Sequence, residues 1–241
     1  MKLAQQVALI TGASRGLGLS IAKALGAEGA AIGCVARAGA ELDGAVATLR
    51  AAGIDAFAAA ADVTSEAAVA AATRAVIDRG KRLDIVVLNA GAWQGAPLHE
   101  TSEAMWDLLI DLNLKGAFLT LKHTLPTLRA QRRGTVIGIG SIGGLVGMSG
   151  SAAYAASKWG LHGLLESAAL EAKADRVRVS HVAPHNMNSA GRAIEPGTPE
   201  RDRHLETSEV ASLVAWICSA PDHVAVGTAT IWPLAAGIAM K

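Results

Sequence analysis

Aromatic residues are scarce in this chain. They make up 3% of its 241 residues, and there is a single tyrosine. That shortage argues against an aromatic-rich core; abundant alanine and 26 glycines instead suit close packing of helix on sheet. Only two cysteines occur, Cys34 and Cys218, far apart and in no CxxC pattern. A disulfide framework is therefore not expected, and buried thiols in a reducing compartment are. Seven histidines are scattered with no HExxH and no His/Cys cluster, so no catalytic metal is expected. Charge of one sign is also lacking: 22 basic and 21 acidic residues leave a net charge of +1. No field exists to gather nucleic acid or an anionic membrane. The nearest basic run, Arg129, Arg132 and Arg133, reads as a solvated helix end. No 18-residue apolar stretch suggests a membrane span. Met1–Gln6 lacks a signal-peptide core, so a cytoplasmic protein is expected.

What is present is a regular alternation. Short β-branched runs at Val7–Thr11, Ala31–Ala36, Ala56–Ala61, Ile85–Leu88, Thr135–Gly140, Val177–Val182 and Thr228–Trp232 read as strands. Between them, helical patterns cover Gly16–Glu28 (closed by Gly29), Glu41–Ala52, Glu66–Asp78, Ser102–Ala130, Ala152–Ala174 and Thr207–Ser219, the last with Ser208 as its cap. Apolar strands alternating with helices predict an α/β fold, a single doubly wound parallel sheet covered on both faces. No linker or repeat divides the chain, so residues 1–241 read as one domain. The least regular segment, about 185–206, is rich in Pro, Gly and charge and reads as a mobile loop over a site.

The first strand runs into Thr11-Gly12-Ala13-Ser14-Arg15-Gly16-Leu17-Gly18. Glycines there let the backbone turn sharply and approach a pyrophosphate, and the following helix offers free N–H groups to the anion. With this TGxxxGxG, Asn89-Ala90-Gly91 after the fourth strand, and Tyr154-x3-Lys158, the chain resembles the short-chain dehydrogenase/reductase family along nearly its whole length, closest to the 3-oxoacyl-thioester reductases. The resemblance implies a Rossmann-type dinucleotide site and oxidoreductase activity. The second strand bears on which dinucleotide: a carboxylate at its end would bond the ribose 2′-hydroxyl of NAD. This strand ends Val35-Ala36-Arg37, with no acid before Glu41. Arg37 can fork onto a 2′-phosphate and Arg15 can approach from the other side, so NADP(H) is expected. By resemblance Asp62 and the Val63 backbone hold the adenine; Asp62 equally suits capping of a turn through Thr64. By resemblance Asn89, Ala90 and Gly91 pass the adenine ribose and steady the sheet, and Pro184 belongs to the cofactor site.

Tyr154 and Lys158 are four residues apart on a predicted helix and share one face. A tyrosine hydroxyl can exchange the proton of an alcohol, and a nearby ammonium would lower its pKa toward neutrality. Lys158 is placed to do so and by resemblance also binds the nicotinamide ribose. Ser141, ending the fifth strand, can orient a substrate oxygen. Asn113 lies inside the long helix; by resemblance it marks a kink whose backbone carbonyl holds a water linked to Lys158. Ser141 has no GxSxG context, so a serine hydrolase fits badly.

The chain departs from the family after strand six. It reads Ala183-Pro184-His185-Asn186-Met187-Asn188-Ser189, with His185 where the family has glycine and Asn188 or Ser189 in place of a threonine. His185 is either a satisfied loop residue or a donor toward substrate. Trp93, Gln94, Ile142, Met148, His185 and Met187 are expected around the substrate, and they favour a mainly apolar body. The expected activity is NADP(H)-dependent hydride transfer at a carbonyl/alcohol pair of a small molecule. The alternatives are an imine or enone reductase, or a dinucleotide-binding protein without catalysis. Apolar residues such as Phe118 and Trp159 on the long helices suggest, by resemblance, a homodimer or homotetramer.

Overall fold

The computed structural model describes residues 1–188, 194 and 198–236. In chain order it contains β1 (Val7–Thr11), α1 (Gly16–Ala27), β2 (Ala31–Val35), α2 (Ala40–Ala51), β3 (Ala56–Ala58), α3 (Glu66–Gly80) and β4 (Ile85–Leu88). It continues with α4 (Glu103–Ile110), α5 (Gly116–Gln131), β5 (Gly134–Ile139), α6 (Ala152–Ala172), β6 (Val177–Pro184), β7 (Met187–Asn188), β8 (Leu205–Glu206), α7 (Thr207–Cys218) and β9 (Thr228–Ile231).

Among the described residues, seven strands form one sheet in the order β3-β2-β1-β4-β5-β6-β9. Every pairing is parallel. Strands β1, β4 and β5 are buried along their whole length, as a sheet covered on both faces requires. One core layer joins α1, α2 and α7 to the sheet through Ile10, Ile21, Leu25, Val210 and Ile217. The opposite layer joins α3, α5 and α6 through Val76, Leu121, Leu161 and Leu165. The strand order reverses between β1 and β4, so a crevice opens at their carboxyl ends, where ligands bind in such sheets.

Polar bonds close the opposite end of the sheet. Asp84 is 2% exposed, takes a bidentate grip from Arg82 at 2.7 and 2.6 Å, and accepts from the Val7 N–H at 3.0 Å. Arg178 of β6 donates to the carbonyls of Cys218, Ala220, Pro221 and Val224 and to the Thr135 hydroxyl. It thereby satisfies carbonyls that the end of α7 leaves open.

Three local expectations are corrected. The helix read over Ser102–Ala130 is two helices, α4 and α5, joined by a π turn at Asp111–Lys115. The cap of α7 is Glu206, in a capping box with Glu209, and Ser208 lies inside the first turn. A carboxylate reaching the helix N–H groups wins over the shorter hydroxyl because the dipole favours its charge. Strand β3 stops at Ala58, although Ala59 and Ala61 still donate to the carbonyls of Cys34 in β2 and of Ala36 just past it. Of the segment 185–206, Met187–Asn188 pairs in parallel with Leu205–Glu206. Ser189 and the other residues of 189–193 and 195–197 lie outside the described residues.

Candidate active site

The glycine loop lies at the β1/β4 crevice. Gly12 has φ +67°, and a Cβ on it would stand 2.9 Å from the Ala90 Cα. A Cβ on Gly18 would stand 2.1 Å from the Gly12 carbonyl oxygen. Only glycine permits this closure of loop on helix. Gly16, at φ +54°, faces open space, and no side chain caps the start of α1. The N–H groups of α1, with Ser14 and Arg15 ahead of them, are thus presented to the crevice, while Leu17 anchors the helix in the core.

Thr11 and Asn89 fasten the loop. The Thr11 hydroxyl donates to the Val87 carbonyl at 3.2 Å and accepts from the N–H groups of Asn89 and Ala90 at 3.0 and 3.1 Å. The Asn89 amide donates to the carbonyls of Thr11 and Gly12 at 2.9 and 3.2 Å. Both central strands therefore end in one hydrogen-bonded clasp. Gly91 continues the turn beside Asn113 and Lys158; a Cβ there would lie 2.9 Å from Asn113 Oδ1.

Further along the edge, Arg37 is exposed at the end of β2. Arg15 pairs with Glu41 at 3.4 Å, both side chains well exposed. Asp62 accepts from the Thr64 N–H at 2.9 Å and hydroxyl at 2.8 Å, the turn-capping role. These two bonds, and more weakly the Arg37 charge, hold its carboxyl below the usual range. Val63 is buried and packs with Val69, Leu119 and Ala90. The crevice suits a dinucleotide: it combines a cradle that a Cβ would fill, an uncapped helix start and two exposed guanidiniums.

Ser141, Tyr154, Lys158 and Asn113 come together at the carboxyl end of β5 and the first turns of α6. The Ser141 hydroxyl accepts from the Gly143 N–H at 3.1 Å and lies close enough to the Tyr154 phenol to draw its pKa down. A Cβ on Gly143 would meet Met148 Cε at 3.3 Å, Tyr154 Cε1 at 3.4 Å and Ser141 Oγ at 3.6 Å, so all three surround this glycine. Lys158 is 6% exposed and donates to the Ile139 carbonyl at 2.9 Å, with its Nζ 5.8 Å from the Tyr154 ring centroid. Asn113, on the π turn, spans the Ala92 backbone with bonds of 2.8 and 3.0 Å and donates to Ser157 Oγ at 3.0 Å. Ser157 passes the bond on to the Tyr154 carbonyl at 2.7 Å. Ser157 does not stand out in the sequence, since nothing but its distant partner distinguishes it, and Thr11 shows there only as the first residue of the glycine motif. The π turn interrupts the helix at Asn113, and the bonds that tie Asn113 to Ala92 and Ser157 are made by its side-chain amide.

One electrostatic expectation is corrected. Burial raises the Tyr154 pKa above its ordinary value, with the Ser141 hydroxyl opposing. Lys158 does not counter it: its amine donates to the Ile139 carbonyl, and burial depresses its own pKa to about 8. Desolvation is the largest cause of the shift at both groups. A lysine with a lowered folded pKa makes stability rise with pH, from about 8 up to its ordinary 10.5, because the unfolded chain then holds the extra proton. Lys158→Met is expected to remove that increment, seen as a flatter Tm across this pH window than in the wild type.

Pro184 is buried at the end of β6, and the His185 N–H donates to the Ile231 carbonyl at 2.9 Å. The His185 Nδ1 is buried with no hydrogen-bond partner among the described residues, and burial lowers its pKa. Met187 and Ile142 are half-buried, and Trp93 is 57% exposed.

Comparison with known proteins agrees with this geometry. A family model described as short chain dehydrogenase matches residues 6–195. The chain belongs to the short-chain dehydrogenase family and is an oxidoreductase by that membership. An uncharacterized oxidoreductase of Staphylococcus epidermidis is 32% identical over 97% of this chain and 99% of its own. A 3-oxoacyl-[acyl-carrier-protein] reductase of Staphylococcus aureus is 40% identical over 73% of this chain and 72% of its own. A metagenomic short-chain oxidoreductase solved in complex with NADP has a TM-score of 0.84 and 38% identity, covering 97% of this chain and 99% of that one. The actinorhodin polyketide ketoreductase solved with NADPH has a TM-score of 0.88 and 28% identity, with 99% of both chains covered.

Proposed function

We propose that this enzyme reduces a small-molecule ketone or oxoacyl-type carbonyl with NADPH. The observation that carries the reading is the meeting of Tyr154, Ser141 and buried Lys158 at the sheet edge that also holds the glycine loop. Bound NADPH supplies the hydride. Tyr154 gives its proton to the carbonyl oxygen, and Ser141 holds that oxygen through its hydroxyl. Because burial keeps the Tyr154 proton on at neutral pH, the site is set for the acid role that reduction requires. Lys158 holds the ribose and, once its amine faces the phenol, steadies the phenolate left behind. Trp93, Met148, Ile142 and Met187 favour an apolar substrate body, and His185 offers it a polar contact. An NADPH-consumption screen over ketones, aldehydes, oxoesters and cyclic imines, with products identified, tests this. Turnover of imines alone would reassign the reaction, and NADPH binding without any turnover would leave a binding protein.

Arg37 and Arg15 support the choice of NADP(H). Each bond to the 2′-phosphate contributes about 1.5–3 kcal/mol. Arg37→Asp with Arg15→Ala is therefore expected to lower the NADPH-over-NADH preference in kcat/KM about a hundredfold or more. Unchanged selectivity refutes the assignment. The enzyme is further proposed to work as a single-domain cytoplasmic protein and as a homo-oligomer. Trp106, Leu108, Phe118 and Trp159, exposed on α4, α5 and α6, supply the apolar surface for the contact.

A further inference from the structure

The stripe on α6 continues past the proposed catalytic pair as Tyr154, Lys158, His162 and Glu166, each one turn beyond the last. The first three reach the sheet around one tripeptide, Ile139-Gly140-Ser141. Tyr154 and Ser141 flank Gly143 together, and Lys158 donates to the Ile139 carbonyl at 2.9 Å. Gly140, between them, is met from β6. A Cβ on it would lie 1.8 Å from Nε2 of His181, so the imidazole occupies the place of the missing side chain. His181 is 3% exposed, and its Nδ1 is 2.8 Å from Nδ1 of His162. The ring centroids are 4.6 Å apart at 58°. The outer nitrogen of His162 lies 3.3 Å from Glu166 Oε1, which is solvent-exposed. The His181 Nε2 is buried without a hydrogen-bond partner among the described residues.

Two apolar side chains would fill this volume without burying polar atoms. What imidazoles add is direction: one Nδ1 donates and the other accepts, so the bond forms at a single offset of helix along sheet. We propose that His162 and His181 are positioning residues, whose bond locks α6 to the Ile139–Gly140–Ser141 strand end and so fixes Tyr154 and Lys158 relative to Ser141. The charged groups facing the pair are Lys158 and Glu166, both from α6; β5 sets Gly138 beside His181, with Gly140 just past its end, and β9 places Thr228 beside His181. Burial, the charge of His162 and the Lys158 charge hold the His181 pKa down at about 4, so the bond persists through the neutral range.

The inference rests on the carbonyl-reductase reading for its kinetic assay, but the single tyrosine gives a second readout. Ultraviolet difference titration of the tyrosinate reports Tyr154 alone and needs no turnover. In His162→Leu, misplacement of the reacting groups is expected to lower kcat about tenfold to a hundredfold, with a smaller rise in the KM for NADPH through Lys158. The tyrosinate titration is expected to move upward as the Ser141 hydroxyl is displaced from the phenol. His162→Asn, whose amide can donate or accept at the same place, is expected to recover most of the kcat and the wild-type titration. His162→Phe fills the space with a ring that cannot bond and stands in if the leucine variant does not fold. Wild-type kcat and titration in a folded Leu or Phe variant, or an Asn variant no better than they are, would overturn the proposal. If the wild type turns over no carbonyl, the reductase reading fails by itself, and the titrations still decide the positioning role.

Discussion

Tyr154→Phe is expected to lower kcat by about 10²–10⁴-fold, the usual contribution of a placed proton carrier, while NADPH still binds. The substitution removes one oxygen and leaves the ring in its packing. Its structural cost is confined to the contact with Ser141, whose hydroxyl keeps the Gly143 N–H as a partner. No second tyrosine exists in the chain to take over. Stopped-flow oxidation of NADPH under single-turnover conditions separates the chemical step from product release. Near-normal turnover in this variant would remove Tyr154 as the acid and leave the site without a proton donor at the serine.

The second large effect is expected at the glycine loop. Gly18→Ala ought to help a helix, since alanine is favoured there by about 1 kcal/mol. Here the added methyl would stand 2.1 Å from the Gly12 carbonyl oxygen and 2.6 Å from the Asn89 amide nitrogen. Both belong to the clasp that joins β1 to β4, so neither yields cheaply. Overpacking of this kind costs about 1–3 kcal/mol. If most of that falls on the loop, the Kd for NADPH rises about tenfold or more, with a lower Tm. Quenching of nicotinamide fluorescence measures the first and thermal unfolding the second. Unaltered NADPH affinity would mean that the loop does not form the pyrophosphate site.

The sequence announces what depends on local pattern. Strand periodicity and the absence of long polar linkers give the parallel sheet, and the spacings at residues 11–18, 89–91 and 154–158 place the dinucleotide crevice and the tyrosine–lysine pair on its edge. What escapes the reading depends on partners remote along the chain. Thr11 opens the glycine motif, but that spacing does not show its hydroxyl meeting Asn89, seventy-eight positions away. Ser157 is an ordinary helix serine until Asn113 reaches it. The π turn at Asp111–Lys115 interrupts apolar spacing that continues on either side, so periodicity runs straight through it. The tyrosine pKa depends on the balance between desolvation and where the lysine amine points, and spacing on a helix fixes only that the two share a face.

Arg178 carries a consequence for how the molecule comes apart. The last carbonyls of a helix ordinarily let it fray by itself, exchanging amides with solvent while the rest stays folded. Here the α7 terminus and the turn toward β9 are gripped by a guanidinium rooted in β6, which also holds Thr135 of β5. The final helix and edge strand are thereby coupled to the middle of the sheet. Amide deuteration of α7 should keep step with that of β5 and β6, and α7 and β9 should open only when the middle of the sheet does.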